Sequence, residues 1–549
     1  MHQPAAEPRP SIWYDYQVFP ASPRPAADEV APVVVVGAGP IGLVTALGLA
    51  QLGVRVVLLE AERQVSEGSR AIVFTRRSME ILQQVGVADA VLDRALPWRF
   101  GTSFYRGQPV FRLAGPHSDD ERFFPMNNLQ QQVLEEVLCK AVAAQPLIEM
   151  RWGHRVTALP VNHDEAVLEV DTPDGPYRQR AAWVVAADGA RSVLRALTGV
   201  QLEGTAYEGR FVIADIRIDL PLPTERLAFF DPAWNPGNTV LMHREPGGLW
   251  RIDYQLPPGE TPEQALEPSS LKARIDAQLE AIGQGHLRWE MDWCSVYSAR
   301  ALTLPDYVHR RVVFVGDAAH LLPIFGVRGA NTGFQDAQNL AWKLGLLLRG
   351  LGGPGLLASY SSERVAAARE IVDEAGKSTR FMTPPTRGYR LLRDAVLSLS
   401  LTQDFVRPLF HWRTSRAHDH RASPLNDTGD DDALFGAAGP GHGAPLPNQR
   451  LDDGSHLLDH LCGDTAGHFA LIVFDERTRD ALAPTLQRWK ARGLPLCGLQ
   501  FGEPVRQRLA GPHRGAAYLV RPDQHVCARW IAPAPDRLDA ALRAALGQA

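Results

Sequence analysis

The sequence predicts an α/β chain of 549 residues: a Rossmann-like parallel-sheet domain interrupted by an inserted antiparallel sheet, then a helical segment, then a small C-terminal α/β domain. Three observations predict it. A β-branched strand from Val33 runs into the glycine turn Gly37-Ala-Gly-Pro-Ile-Gly42, a helix carrying Leu43, Ala46, Leu47 and Ala50, and a second strand ending at Glu60, which together form a βαβ unit. Two more buried-strand signatures, Trp183-Val-Val-Ala-Ala-Asp188 and Arg311-Val-Val-Phe-Val-Gly-Asp317, recur far downstream and suit the same parallel sheet. Between them, from Phe211 to about Trp293, short alternating segments broken by Pro and Gly read as an antiparallel sheet.

In chain order, residues 1–30 form a Pro- and Ala-rich arm whose Trp13, Tyr14, Tyr16 and Phe19 either pack on the body or stay loose. Residues 31–205 and 294–420 make the discontinuous nucleotide domain, with 206–293 inserted as the substrate-binding sheet and 336–420 mainly helical. The stretch 422–447, dense in Gly, Ala, Pro and Asp and without apolar period, reads as a linker. Strand-like segments such as His468–Phe474 and Val526–Trp530 then alternate with helical ones, giving a domain over 448–549.

Bulk composition excludes several classes. A net charge of −5 with mixed signs gives no footprint for nucleic acid or an anionic membrane. No apolar run reaches the roughly 20 residues of a membrane span, and no secretion signal is read at the start. The five scattered cysteines contain no C-x-x-C, which argues against a disulfide framework or thiolate metal site and for a reducing cytoplasm.

Chemistry concentrates at three motifs. The glycines Gly37, Gly39 and Gly42, with Pro40 and Ile41 opening the helix, make a tight turn whose N–H groups can meet a pyrophosphate, and Glu60 can accept from a ribose hydroxyl. A merely structural turn is the alternative. Asp188, in Asp188-Gly-Ala-Arg-Ser-Val-Leu-Arg195, either helps hold a phosphate or caps a strand-end turn. In Gly316-Asp-Ala-Ala-His320, Asp317 is expected to bind a ribitol hydroxyl, while Gly329, Ala330 and Asn331 bring N–H groups to a flavin ring.

These three motifs, in this order and at these separations, resemble the FAD-dependent aromatic hydroxylases, the group A flavoprotein monooxygenases typified by p-hydroxybenzoate hydroxylase. The resemblance covers about residues 31–420 and places Arg70 and Gln131 at FAD-contacting positions. Length and the tail Val520–Trp530 resemble the phenol hydroxylase and 3-(3-hydroxyphenyl)propionate hydroxylase branch, implying a thioredoxin-like C-terminal domain, here without a redox cysteine pair, and a homodimer. Where many relatives have Pro-x-x-Gly-Gln-Gly, this chain has Pro323-Ile-Phe-Gly-Val-Arg-Gly329, setting Arg328 either beside the flavin or outward to solvent.

The resemblance implies that NADPH or NADH reduces FAD, that O₂ forms a C4a-hydroperoxide, and that one oxygen enters a phenolic or related ring. The absence of a second G-x-G-x-x-G agrees with a nicotinamide that visits transiently. The protein must then position the ring, take its proton and exclude water. His243, Tyr254 and Asp215, in alternating strands that can face the flavin, are the candidate bases, each set against a plain core or surface role. The rival readings are an FAD-dependent oxidase or decarboxylating tailoring enzyme on a non-phenolic substrate, and a flavin-binding protein without turnover. No metal site is expected.

Overall fold

The computed structural model describes residues 1–549 apart from 27–28, 161–164, 258, 324, 410–413, 428, 430 and 549. Ile324, in the segment after the third motif, and Asp430, in the acidic part of the expected linker, therefore lie outside the described residues.

The three far-apart strands meet in one sheet. Val30–Val36 pairs in parallel with Val56–Glu60 on one side and Tyr177–Ala186 on the other, and Val312–Phe314 adds beyond 184–186. Val33, Val34, Val35, Leu58, Val184 and Val313 are fully buried, as strands of a parallel sheet covered on both faces must be. Helix Pro40–Gln51 packs along helix Gly329–Leu348. Long helices Gly355–Met382 and Arg387–Ser400 follow.

Among the described residues the second sheet has eight strands and is wider than the 206–293 segment expected for it. Glu203–Arg217 and Glu290–Thr303 form its long central pair. Leu249–Gln255, Thr239–Glu245 and Arg226–Phe230 follow in antiparallel order. Phe100–Tyr105, assigned from sequence to the nucleotide domain, then pairs in parallel with Arg226–Phe230, and Gln108–Ala114 closes the edge. A strand recruited from more than a hundred residues upstream leaves no trace in local pattern, because a parallel partner needs no nearby turn.

Strand parity gives this sheet two different faces. Val212, Val240, Ile252 and Tyr254 face helix Pro268–Ala281 and bury Leu271, Ile275 and Leu279. Phe211, Ala228 and Leu241 face the other way and cluster with Phe325 and Met382.

The arm packs on the body. Phe19 stacks on Trp152 at 4.4 Å between centroids, and the Tyr16 hydroxyl donates to the Ser66 carbonyl while accepting from Gly68 N–H. The C-terminal sheet runs Leu496–Gln500, Phe469–Val473, Ala517–Val520, Val526–Trp530, with only the third strand antiparallel to the rest, which is the thioredoxin-like order. It is not separated by a free linker: Leu425, Phe435 and Leu446 are buried, and Leu52, Trp342, Leu346 and Leu356 of the body share a core with Phe469, Leu471 and Trp530. Single apolar anchors without a period escaped the sequence reading.

Candidate active site

The first motif is built around backbone that only glycine tolerates. Gly37 has φ +101°, and a Cβ there would lie 2.5 Å from the Ala187 carbonyl oxygen; at Gly42 it would collide with the Gly37 carbonyl. Gly39, by contrast, has nothing within 4 Å of that position among the described residues, so backbone at the start of helix Pro40–Gln51 is open to a ligand. No side chain caps this helix and no acid lies in its first turn, leaving its N–H groups and dipole available to an anion. Glu60 grips the turn from the next strand: Oε2 accepts from Ala38 N–H (2.7 Å) and Oε1 from Glu62 N–H (3.0 Å). Burial raises its pKa.

A second uncapped helix start converges on the same place. Helix Gly329–Leu348 also lacks a side-chain cap and a first-turn acid, and Gly316 and Gly333 both pack on Ile41 of the first helix. Between them Asp317 is exposed to solvent yet set deep in the fold. Burial raises its carboxyl against the pull of His320, Arg70 and Arg195. The Gly316–Asp317 turn is held from below, where Asp336 accepts from Gly316 N–H (3.1 Å), bonds His320 Nε2 (2.6 Å) and accepts from Arg364 Nε (2.7 Å). Although burial opposes it, His320 and Arg364 hold the Asp336 carboxyl below its ordinary value. The sequence pattern had marked Asp336 only as part of a helix.

Two expected cofactor residues prove to have structural side chains. Asp188 braces the start of the short helix Val193–Thr198, which Ser192 caps, accepting from Ser192 Oγ (2.6 Å) and Leu194 N–H (2.9 Å). Its carboxylate is thus spent on the turn, and the motif reaches the third one through Arg195, which donates to the Asp317 and Ala318 carbonyls (3.4 and 3.1 Å). The Asn331 side chain is consumed by Thr75 N–H (2.8 Å), Ser78 Oγ (2.6 Å) and the Val73 and Val327 carbonyls (2.9 and 2.7 Å), so only its backbone N–H can serve a ligand. Gln131 spans Ala71 N–H and Glu135, and Arg70 is exposed opposite Asp317. Arg328 does not go outward to solvent: it is buried, donating to the Phe325 carbonyl (3.2 Å), with Glu374 3.8 Å away.

The inner face of the second sheet closes over these elements. Arg251 donates to Asp215 through both oxygens (2.7 Å each) and reaches the Ser69 and Arg70 carbonyls, while Phe325 of the flavin-side loop packs edge-on against Phe211 at 5.3 Å. Of the three expected bases, Asp215 is on this face but locked as the counter-ion of Arg251. His243 is there too, with Nδ1 lacking a partner among the described residues. Burial, with Arg226 and Arg251 nearby, pushes His243 well below its ordinary pKa; an imidazole so placed resists taking a proton. Tyr254 is on the opposite face, against Trp234 and the covering helix. One residue of parity excludes it.

The same register brings up residues the sequence reading missed. Asp253 and Tyr297 share the inner face with His243 and Ser103, and Asp253 Oδ1, Tyr297 OH and Ser103 Oγ have no hydrogen-bond partner among the described residues. Alternation within each strand was legible; which phase faced inward was not. Among the described residues no group of three or more His, Cys, Asp or Glu is placed to hold a metal ion.

An open glycine at one helix start, a second helix start facing it and an accessible carboxylate deep between them would suit a flavin dinucleotide. Residues 30–375 match the FAD binding domain family. The chain belongs to that family. It is 29% identical to a 3-(3-hydroxy-phenyl)propionate/3-hydroxycinnamic acid hydroxylase of Klebsiella pneumoniae (strain 342), with 95% of each chain covered. It is equally 29% identical to one of Mycolicibacterium smegmatis, over 84% of this chain and 80% of that one. Among solved structures it resembles the flavin-dependent monooxygenase PieE in complex with FAD and substrate, with TM-score 0.82 and 25% identity over 95% of this chain and 100% of that one. Aklavinone-11 hydroxylase with FAD and aklavinone gives TM-score 0.76 at 25% identity, over 95% and 99%. This flavoprotein is accordingly an FAD-dependent aromatic hydroxylase.

Proposed function

We propose that the protein inserts one oxygen atom of O₂ into a phenolic ring held between the inner face of the second sheet and the flavin-side loop, with NAD(P)H as reductant. The observation that carries the reading is the apolar cluster of Phe211, Leu241 and Phe325 on the same sheet face as Arg251, which reaches the Ser69 and Arg70 carbonyls: such a face suits an aromatic ring and disfavours water. The relatives named for 3-(3-hydroxy-phenyl)propionate and 3-hydroxycinnamic acid support a hydroxylated ring as substrate class.

In this reading Gly37, Gly39, Pro40, Ile41 and Gly42 hold the pyrophosphate, Glu60 a ribose hydroxyl and Asp317 the ribitol chain. Arg70 and Gln131 flank the cofactor. The backbone N–H groups of Gly329, Ala330 and Asn331, next to Gly316, face the flavin ring. FAD supplies the oxygen chemistry when bound; the chain orients the ring, shields it and moves its proton. Five free cysteines and the absence of any membrane-crossing helix among the described residues support a reducing, cytoplasmic setting, and a homodimer is part of the proposal, tested by sedimentation of the full chain.

The test is substrate-stimulated NAD(P)H oxidation with mass detection. A phenolic product heavier by one oxygen, labelled from ¹⁸O₂, is expected. Oxidation or decarboxylation without oxygen gain, for every phenol offered, would favour the tailoring-oxidase reading instead.

A further inference from the structure

We propose that Asp253, assisted by Tyr297, takes the proton from the substrate's ring hydroxyl. The inference rests on the phenolic reading of the site, which it deepens by naming the group that does the proton work. Asp253 is 8% exposed and lies in the strand next to both Ile213 and Leu241, with Phe211 one diagonal away and Tyr297, the partner of Phe211, one strand further on. Its Oδ1 and the Tyr297 hydroxyl are buried polar atoms without partners among the described residues. Such atoms are costly to leave unsatisfied, and two on one apolar-walled face, one acceptor and one donor, match the needs of a single ring hydroxyl. Tyr297 would donate to the ring oxygen while Asp253 accepts its proton.

Competing groups on the neighbouring strands are each worse placed. Asp215 is paired with Arg251. His243 sits near both Arg226 and Arg251, so a third cation there is disfavoured. Glu245 lies two pairs along the same strand from His243, 3.4 Å from Arg251, and Tyr297 is held protonated, burial raising it well above its ordinary value. Burial likewise raises Asp253 to about 7, opposed by Arg251 and reinforced by Asp215, a value suited to a base working near neutrality.

The step balances. The ring O–H bond breaks, an O–H bond forms on Asp253, and the bonding pair stays on the ring oxygen, enriching the carbons ortho and para to it. The aspartic acid returns its proton to water after turnover. O₂ and NAD(P)H supply the oxidising and reducing equivalents of the hydroxylation itself.

The test uses 4-nitrophenol, whose anion is coloured, as a binding probe for the FAD-loaded full-length protein. Above neutrality both the probe and Asp253 are ionised, so binding must take up one proton to share between them. The dissociation constant should then rise about tenfold per pH unit between about pH 7.5 and 8.5. In D253N it should be flat across that window, and in Y297F weaker than wild type but with the slope kept. Calorimetry in two buffers should count one proton taken up by wild type and none by D253N. D253E should restore the slope. A flat wild-type profile, an unchanged slope in D253N, or failure of wild type to bind the probe would each overturn the assignment. If the wild type oxygenates phenols while D253N keeps the slope, the hydroxylase reading survives and this one alone fails.

Discussion

Two buried regions of this molecule treat charge in opposite ways. At the junction with the C-terminal module, Glu363 bonds Lys343 (2.9 Å), Arg521 (2.8 and 3.0 Å) and Asn339 (2.7 Å), and Arg521 also holds Asp523. On the inner face of the substrate sheet, Asp253, His243, Tyr297 and Ser103 are just as buried in their polar atoms and leave them without protein partners. The pKa directions follow. Despite burial, Arg521 and Lys343 hold Glu363 well below the usual carboxylate range, and Arg521 and His525 do the same for Asp523, whereas burial raises Asp253. A protein can leave buried polar groups unsatisfied only where something else completes them. The charges of Glu363, Lys343, Arg521 and Asp523 are matched by one another; on the sheet face we propose that a ligand completes the open atoms.

The comparison can be broken from either side. The largest effect is expected at the junction: Glu363→Ala strands Lys343 and Arg521 in the interior and should cost about 3–5 kcal/mol, read as a lowered urea midpoint. Acid should act in the same direction. A depressed carboxyl contributes stability that is present above its unfolded pKa and is lost as pH falls through the folded value, so the junction should loosen below about pH 4. In the cofactor turn, Gly37→Ala meets both a positive φ and the Ala187 carbonyl. It should weaken FAD binding on the order of 100-fold, measured by recovery of flavin fluorescence.

A smaller effect tests the arm. His2 bonds the Ala61 carbonyl (2.6 Å), Phe19 exchanges two hydrogen bonds with Arg63 (2.7 Å each), and Tyr16 holds Ser66 and Gly68, so the arm ties down the loop joining Glu60 to Arg70. Deleting residues 1–22 should raise the FAD dissociation constant about tenfold, equivalent to one or two hydrogen bonds, with the fold retained. Smallest of all, Tyr254→Phe should change stability by less than about 1 kcal/mol and leave substrate proton uptake intact, in contrast with Asp253→Asn.

What the sequence disclosed and what it hid have physical reasons. The parallel sheet was legible because its strands are continuous β-branched runs closed by glycine turns that obey local steric rules. The Gly37–Gly42 turn was legible for the same reason. Asp188 stayed open between two roles in the sequence because a carboxylate at a strand end serves a helix start and a phosphate site with the same residue type, and only partners decide. Tyr254 failed by parity: alternation marks two faces but not which one looks at the cofactor. Asp253 and Tyr297 were invisible because an unsatisfied atom is a property of three-dimensional surroundings. Phe100–Tyr105 joined the substrate sheet through a pairing too distant for pattern to carry.

The central claim, that the sheet face holds its charge for a ligand while the junction holds its charge for the fold, is tested most directly by one paired measurement: urea unfolding of D253N and E363Q at about pH 8. Asp253 has a folded pKa raised to about 7, so it contributes stability at acid pH that is lost as pH rises from its unfolded value through the folded one, and above neutrality its ionisation is a cost. The account therefore predicts that D253N is more stable than wild type by about 1–3 kcal/mol while E363Q is less stable. Destabilisation of both variants alike would contradict it.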